Sequence, residues 1–228
     1  MPKAFSEHEM KLIDQKLKEA AKNQFSKYGV KKTNIEDITR AAGIAKGSFY
    51  KFYESKEVLF FKLLEEDEHA LRSSFDPLSL FNKNTPPEKA FKEFLLFFIK
   101  YMRNNQLPRI FFDRTEYENL LRKLPPALIE EHMKHDMEYN TKIIIELQNR
   151  GIVIKKDPML IMELIKTALL SIFNTELINP DYYDQVVDLL AESLAKGLVI
   201  PAPQSSFQER RRFPFDSNNK TRERRNKK

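Results

Sequence analysis

Eight prolines, Pro77, Pro86, Pro87, Pro108, Pro125, Pro126, Pro158 and Pro180, cut the central and C-terminal parts of the chain into apolar-periodic segments of helical length. Proline fits the first turn of a helix, where its missing N–H has no intrahelical partner, and is costly in a helix interior. The spacing therefore predicts helices at about 87–104, 107–122, 126–149, 158–175 and 180–199, with Gly151 closing the third. The one long non-helical connection is expected at roughly 73–86. With only 5 Gly and no Cys or Trp, against 18 Phe and 41% hydrophobic residues, the chain is poor in tight-turn residues and rich in core material. An all-α fold is expected.

The N-terminal segment is built from shorter pieces. Ser6 and Glu9 have capping-box spacing, and Met10, Ile13, Leu17, Ala21, Phe25 and Tyr28 recur at helical intervals until Gly29. Thr33 and Glu36 repeat the box, Ile35, Ile38 and Ala42 form an inward face, and Gly43 stops a helix of two to three turns. After a turn through Ile44, the stretch Lys46 to Phe52 is too short to be stable alone and must be held by packing through Phe49 and Phe52 or Tyr53. Ser55 is positioned to cap a fourth helix carrying Val58, Leu59, Leu63 and Leu64.

Two short helices joined by a glycine-containing turn, the second rich in small polar, basic and aromatic side chains, form a helix-turn-helix candidate. The residues Thr33-Asn34-Ile35-Glu36-Asp37-Ile38, Ala41-Ala42-Gly43-Ile44, Lys46-Gly47-Ser48-Phe49-Tyr50-Lys51-Phe52-Tyr53 and Ser55-Lys56-Glu57 resemble the DNA-binding domain of the tetracycline-repressor (TetR) family, almost continuously over residues 8–64. The resemblance implies a three-helix DNA-binding domain at 1–54 and a larger helical effector-binding and dimerisation domain at 55–200. A basic tail at 201–228 is expected to lack order. Thr33 would offer its hydroxyl and a helix N-terminus to phosphate. Lys46, Ser48, Tyr50 and Lys51 would face bases or phosphates, Gly47 would allow close approach, and Lys56 would clamp phosphate. Ala45 stands where members of the family commonly carry Ser or Thr, so the short helix lacks a side-chain cap worth about 1 kcal/mol.

Charge supports a DNA-facing head only when it is divided along the chain. Residues 1–60 hold 12 Lys and Arg against 8 Asp and Glu, residues 61–206 hold 18 against 22, and residues 207–228 hold 9 against 3. The overall +6 thus hides a basic head, an acidic middle and a basic end. Without cysteine there is no disulfide framework and no thiolate metal site or nucleophile. The start of the chain, with Glu7 and Glu9 and no apolar run, is not expected to be a secretory leader, so the expected compartment is the cytoplasm. No uninterrupted apolar run reaches the ~18 residues of a membrane span. No Gly-rich phosphate loop or nucleophile elbow is present, and neither catalysis nor a cofactor is expected.

The resemblance further implies a homodimer on a near-palindromic double-stranded operator, released when a small molecule shifts the spacing of the two heads, with the fourth helix as lever. The helices at 158–175 and 180–199 carry more apolar surface than one core-facing stripe needs, which suits either a central place in the monomer or a four-helix subunit contact. Phe91, Phe94, Phe97, Phe98, Tyr101, Phe111, Phe112 and Tyr117 either line an effector pocket or belong to the core. Arg103, Arg114, His132 and His135 are the nearest polar groups to orient an effector. His132 and His135 beside Asp136 lack a further matched ligand, so no metal is expected. The competing reading is a small-molecule or partner-protein module whose N-terminal helices dock protein instead of DNA.

Overall fold

The structure, a computed structural model, describes residues 6–82 and 85–201. Its α-helices are α1 (Glu7–Lys32), α2 (Ile35–Ala42), α3 (Lys46–Phe49), α4 (Lys56–Ser74), α5 (Pro87–Asn104), α6 (Arg114–Leu121), α7 (Pro126–Asn149), α8 (Pro158–Phe173) and α9 (Tyr183–Leu198). Short 3-10 turns occupy Pro77–Asn82, Pro108–Phe112, Thr175–Leu177 and Pro180–Tyr182. Among the described residues no strand forms, and an isolated antiparallel bridge joins Val153 to Val199. No helix among them is long and apolar enough to cross a membrane. The basic tail from residue 202 onward lies outside the described residues.

Local chemistry explains most boundaries. Ser6 and Glu9 form the reciprocal capping box at the start of α1, and Ser55 accepts from the Val58 N–H at the start of α4. Gly29 adopts φ 75°, a region closed to most side chains, and kinks α1 before one last turn. Gly43 sits left-handed at the end of α2, where the Ile44 N–H reaches back to the Thr39 carbonyl and returns the chain toward α3.

Three expectations require correction. The box expected at Thr33 is absent: Asn34 is the N-cap of α2, without a side-chain bond, and the Thr33 hydroxyl donates to the Gly29 carbonyl at 2.8 Å. That bond satisfies a carbonyl at the kink, so one local side-chain-to-backbone bond took the hydroxyl from another. The continuous helix expected at 107–122 is broken, because Asp113 accepts from the Glu116 N–H and starts α6 afresh after a 3-10 turn. The long connection expected at 73–86 begins after Ser74 and is interrupted by the 3-10 turn at Pro77–Asn82.

The head and body share a core through α4. Leu17, Ala21, Phe25, Ile38 and Phe49 from the head pack with Leu59, Phe60, Phe61, Leu63 and Leu64 of α4 and with Leu107, Ile110, Leu120 and Leu124 beyond it. Phe25 meets Phe60 edge-on at 5.1 Å. A second cluster joins α5, α7, α8 and α9 around Phe91, Leu95, Ile144, Ile161 and Leu194, and a third gathers Ile99, Ile172, Phe173, Tyr183 and Val187. Movement of α4 therefore reaches the head through direct packing.

Candidate nucleic-acid interface

The short segment after Ala45 is placed by one side chain. Ala45 makes no side-chain cap, α3 has a single regular turn, and Phe49 at 0% exposure is its anchor. Phe49 touches Tyr50 edge-on at 5.5 Å and Tyr53 at 6.0 Å. Its carbonyl accepts from the Phe52 and Tyr53 N–H groups, extending the turn beyond α3. Tyr53 is itself buried and its hydroxyl donates to Asp14 at 2.5 Å, tying the end of this segment to α1. Burial, reinforced by the Asp14 carboxylate, pushes the Tyr53 phenol far above the usual tyrosine range, so it stays a donor.

With Phe49 turned inward, the same turn presents Lys46, Gly47, Tyr50 and Lys51 to solvent and leaves Ser48 half-buried. Tyr50 is 54% exposed, which a core tyrosine would not be. Lys46 pairs with Glu36 on α2. The pairing raises the lysine and lowers the glutamate from their ordinary values, so both stay charged near neutrality. Thr33, Asn34, Glu36, Lys46, Tyr50 and Lys56 border one open cleft of about 330 Å³ between the start of α2, the exposed turn and the start of α4.

Two residues expected at phosphate have partners within the scaffold. Thr33 is 1% exposed with its hydroxyl committed to Gly29, so its side chain is not offered outward. Lys56 donates to the carbonyls of Val30 at 2.7 Å, Lys31 at 3.3 Å and Thr33 at 2.5 Å. An ammonium has three donors, and these carbonyls at the end of α1 take them all. Burial draws the Lys56 pKa below its ordinary value. Next to it, Glu57 is buried and accepts from Lys123 beyond α6 at 2.9 Å. Consecutive residues in the first turn of α4 thus grip the head and the body. Sequence spacing gave no signal for the Glu57 link, because its partner is 66 residues away.

The residues expected to hold an effector are not gathered around one centre. Phe94 packs with the second cluster, while Phe98 and Phe112 pack with the third. Phe111 bridges the first and third and lies 5.0 Å from Tyr117. Phe91 is fully committed to the core at 3% exposure. Tyr101 is half-buried; burial raises its pKa, with Asp67 next in effect. Arg103 lies on the surface against Asp184 and the Tyr183 ring, and exposed Arg114 pairs with Glu118 on its own helix. His135 is exposed, whereas His132, three residues earlier, turns inward against Phe61. Helical geometry separates the two histidines that sequence proximity had joined.

The family model described as "Bacterial regulatory proteins, tetR family" matches residues 17–63. Over 175 residues the chain is 26% identical to the probable acrEF/envCD operon repressor of Escherichia coli strain K12, covering 75% of this chain and 78% of that protein. The crystal structure of a TetR-family transcriptional regulator from Pectobacterium atrosepticum is similar with TM-score 0.66 and 20% identity, over 87% of this chain and 100% of that one. The regulator FadR of Bacillus subtilis, in complex with stearoyl-CoA, is similar with TM-score 0.57 and 18% identity, over 80% and 98% of the two chains. At these identities the two structures show a shared fold.

Proposed function

Because the chain belongs to the TetR family of bacterial regulatory proteins, we propose that it is a homodimeric repressor whose exposed turns from Lys46 to Lys51 read the two halves of a near-palindromic operator. The observation that carries this reading is the division of labour in one short turn. Phe49 is wholly buried while its neighbours Lys46, Gly47, Tyr50 and Lys51 are all exposed. A four-residue helix has no stability of its own, and its rigid mounting serves a surface that must be held in fixed orientation. Lys46 exchanges Glu36 for a phosphate or a base edge, and Tyr50 meets sugar, phosphate or a thymine methyl. The cytoplasm is the compartment proposed, and no catalytic role is assigned.

Dimerisation is proposed through α8 and α9. Leu160 (60% exposed), Leu164, Leu170, Val186 and Leu189 (65%) lie uncovered on these helices, an unfavourable arrangement for an isolated chain in water. A two-fold contact of two helices from each subunit covers them and fixes the spacing of the heads. The effector is proposed to be lipophilic, entering among Phe98, Phe111 and Phe112, which are half-buried beside Phe173. The stearoyl-CoA bound by the B. subtilis regulator gives a precedent for such a ligand on this fold. Binding favours one head spacing over the other, and α4, tied by Lys56 above and Glu57 beside it, transmits the shift.

A salt titration of DNA binding tests this proposal. The logarithm of affinity should fall steeply and linearly with that of salt concentration, and Lys46→Ala should reduce the slope by about 1. Lys46→Ala and Tyr50→Ala should each weaken binding roughly 10- to 100-fold, about 1.4–2.8 kcal/mol. A flat salt dependence, with both variants binding as the parent does, would leave the protein-docking alternative standing.

A further inference from the structure

From the side chains where α4 crosses α7, we propose that Glu68, His132 and Asp136 form a binding site for a divalent first-row transition ion of the zinc type, joining the two helices. The His132 Nε2 lies 3.4 Å from Asp136 Oδ2 and 3.7 Å from Glu68 Oε2. All three ligand atoms lie within 4.8 Å of one another. Around an ion with ligands at about 2.1 Å, tetrahedral geometry places ligand atoms about 3.4 Å apart. The two spacings from His132 Nε2 are close to this value, and the carboxylate oxygens, within 4.8 Å of each other, close on an ion by side-chain movement.

The surroundings orient these atoms. Arg72 donates to Glu68 Oε1 and, at 2.7 Å, to Asp136 Oδ1, the oxygens turned away from the histidine. The guanidinium is held in turn against the Tyr139 ring at 4.3 Å. Each carboxylate thus has one oxygen fixed by Arg72 and the other aimed at His132 Nε2. On the far side of the imidazole, Nδ1 is 3.5 Å from Glu65 Oε1, a partner of the kind that orients a metal-bound histidine. Phe61 packs edge-on against the ring at 5.0 Å.

Charge points the same way. Glu65, Glu68 and Asp136 face Arg72 and Lys62, whose Nζ donates to Glu65 Oε2 at 2.7 Å, leaving an excess of negative charge in a half-buried place. A neutral imidazole with two carboxylates is a donor set suited to zinc, cobalt or nickel, and less to magnesium or calcium, which favour oxygen-only shells. Glu68 stands on the helix that grips the head, so an ion here fastens α4 to α7.

The test uses the full-length protein freed of metal with chelator, titrated with cobalt(II) and followed by its visible absorption, with zinc-dependent thermal unfolding as a second readout. The parent is expected to bind one cobalt ion per chain with a tetrahedral or five-coordinate spectrum. Zinc at 100-fold over its Kd should raise the unfolding midpoint by roughly 5–10 °C. His132→Ala and the nearly isosteric Glu68→Gln should each weaken binding at least about 100-fold, while His135→Ala should bind as the parent does. Should His132→Ala fail to fold, Glu68→Gln alone decides. No saturable cobalt spectrum in the parent, or parent-like binding in Glu68→Gln, would overturn the site.

Discussion

Replacing Phe49 with alanine is expected to lower stability by about 3–5 kcal/mol and to remove specific DNA binding altogether. The side chain is 0% exposed and contacts both Tyr50 and Tyr53, so its loss leaves a cavity that a four-residue helix cannot collapse to fill. No side-chain cap at Ala45 provides a second hold on the segment. Chemical denaturation of the variant should show the loss, with the remaining helices largely retained because the second and third clusters do not involve Phe49. The conservative Phe49→Leu should recover part of the stability and part of the binding. An alanine variant with parent-like stability and parent-like affinity would mean that the turn is positioned by something other than this anchor.

The second large effect concerns α8 and α9. The double substitution Leu160→Glu with Leu189→Glu places charges on the side chains at 60% and 65% exposure, where they cost the isolated subunit little. In a two-fold interface each substitution occurs twice, and burying unpaired carboxylates costs several kcal/mol. Sedimentation equilibrium should therefore report a monomer for the variant and, as proposed, a dimer for the parent, with helical circular dichroism unchanged. Operator affinity should fall by roughly 10²–10³-fold, about 3–4 kcal/mol, because one head alone reaches one half-site. A variant that remains dimeric would place the subunit contact on other helices.

The sequence and the structure agree where a feature is decided locally. The capping box of Ser6 and Glu9, the cap at Ser55, the left-handed Gly43 and the inward Phe49 are each set within a few residues, and periodicity finds them. Agreement fails where a second partner, near or distant, competes for the same group. Thr33 has the right spacing for a cap, but the Gly29 carbonyl at the kink takes its hydroxyl. Lys56 looks like a free cation on a helix start until α1 ends beside it with carbonyls unpaired. The break before α6 is hidden because Asp113, an ordinary N-cap, follows the apolar run Ile110-Phe111-Phe112 and precedes Tyr117, Leu120 and Leu121, which keep helical spacing.

The effector residues were least legible for a related reason. Aromatic side chains at helical spacing mark burial, and whether they surround a ligand or one another depends on how separate helices dock. Phe94 packs with the second cluster, Phe98 and Phe112 pack with the third, and Phe111 bridges the first and third. Of the Glu68, His132 and Asp136 group, sequence proximity joined His132 to Asp136 and to His135, but it had no means of supplying Glu68. The group's two helices are 64 residues apart at the crossing, and the neighbouring histidine in sequence, His135, faces away.

The central claim is that paired copies of the Lys46–Lys51 turn read DNA with two-fold symmetry. In vitro selection from a random duplex library with the purified full chain, followed by sequencing of the bound fraction, tests it most directly. Enrichment of an inverted repeat with half-site centres about one helical turn apart or slightly more, lost with Tyr50→Ala, is the predicted result. A bound fraction with no enriched sequence, or one enriched in a motif that Tyr50→Ala retains unchanged, would contradict it.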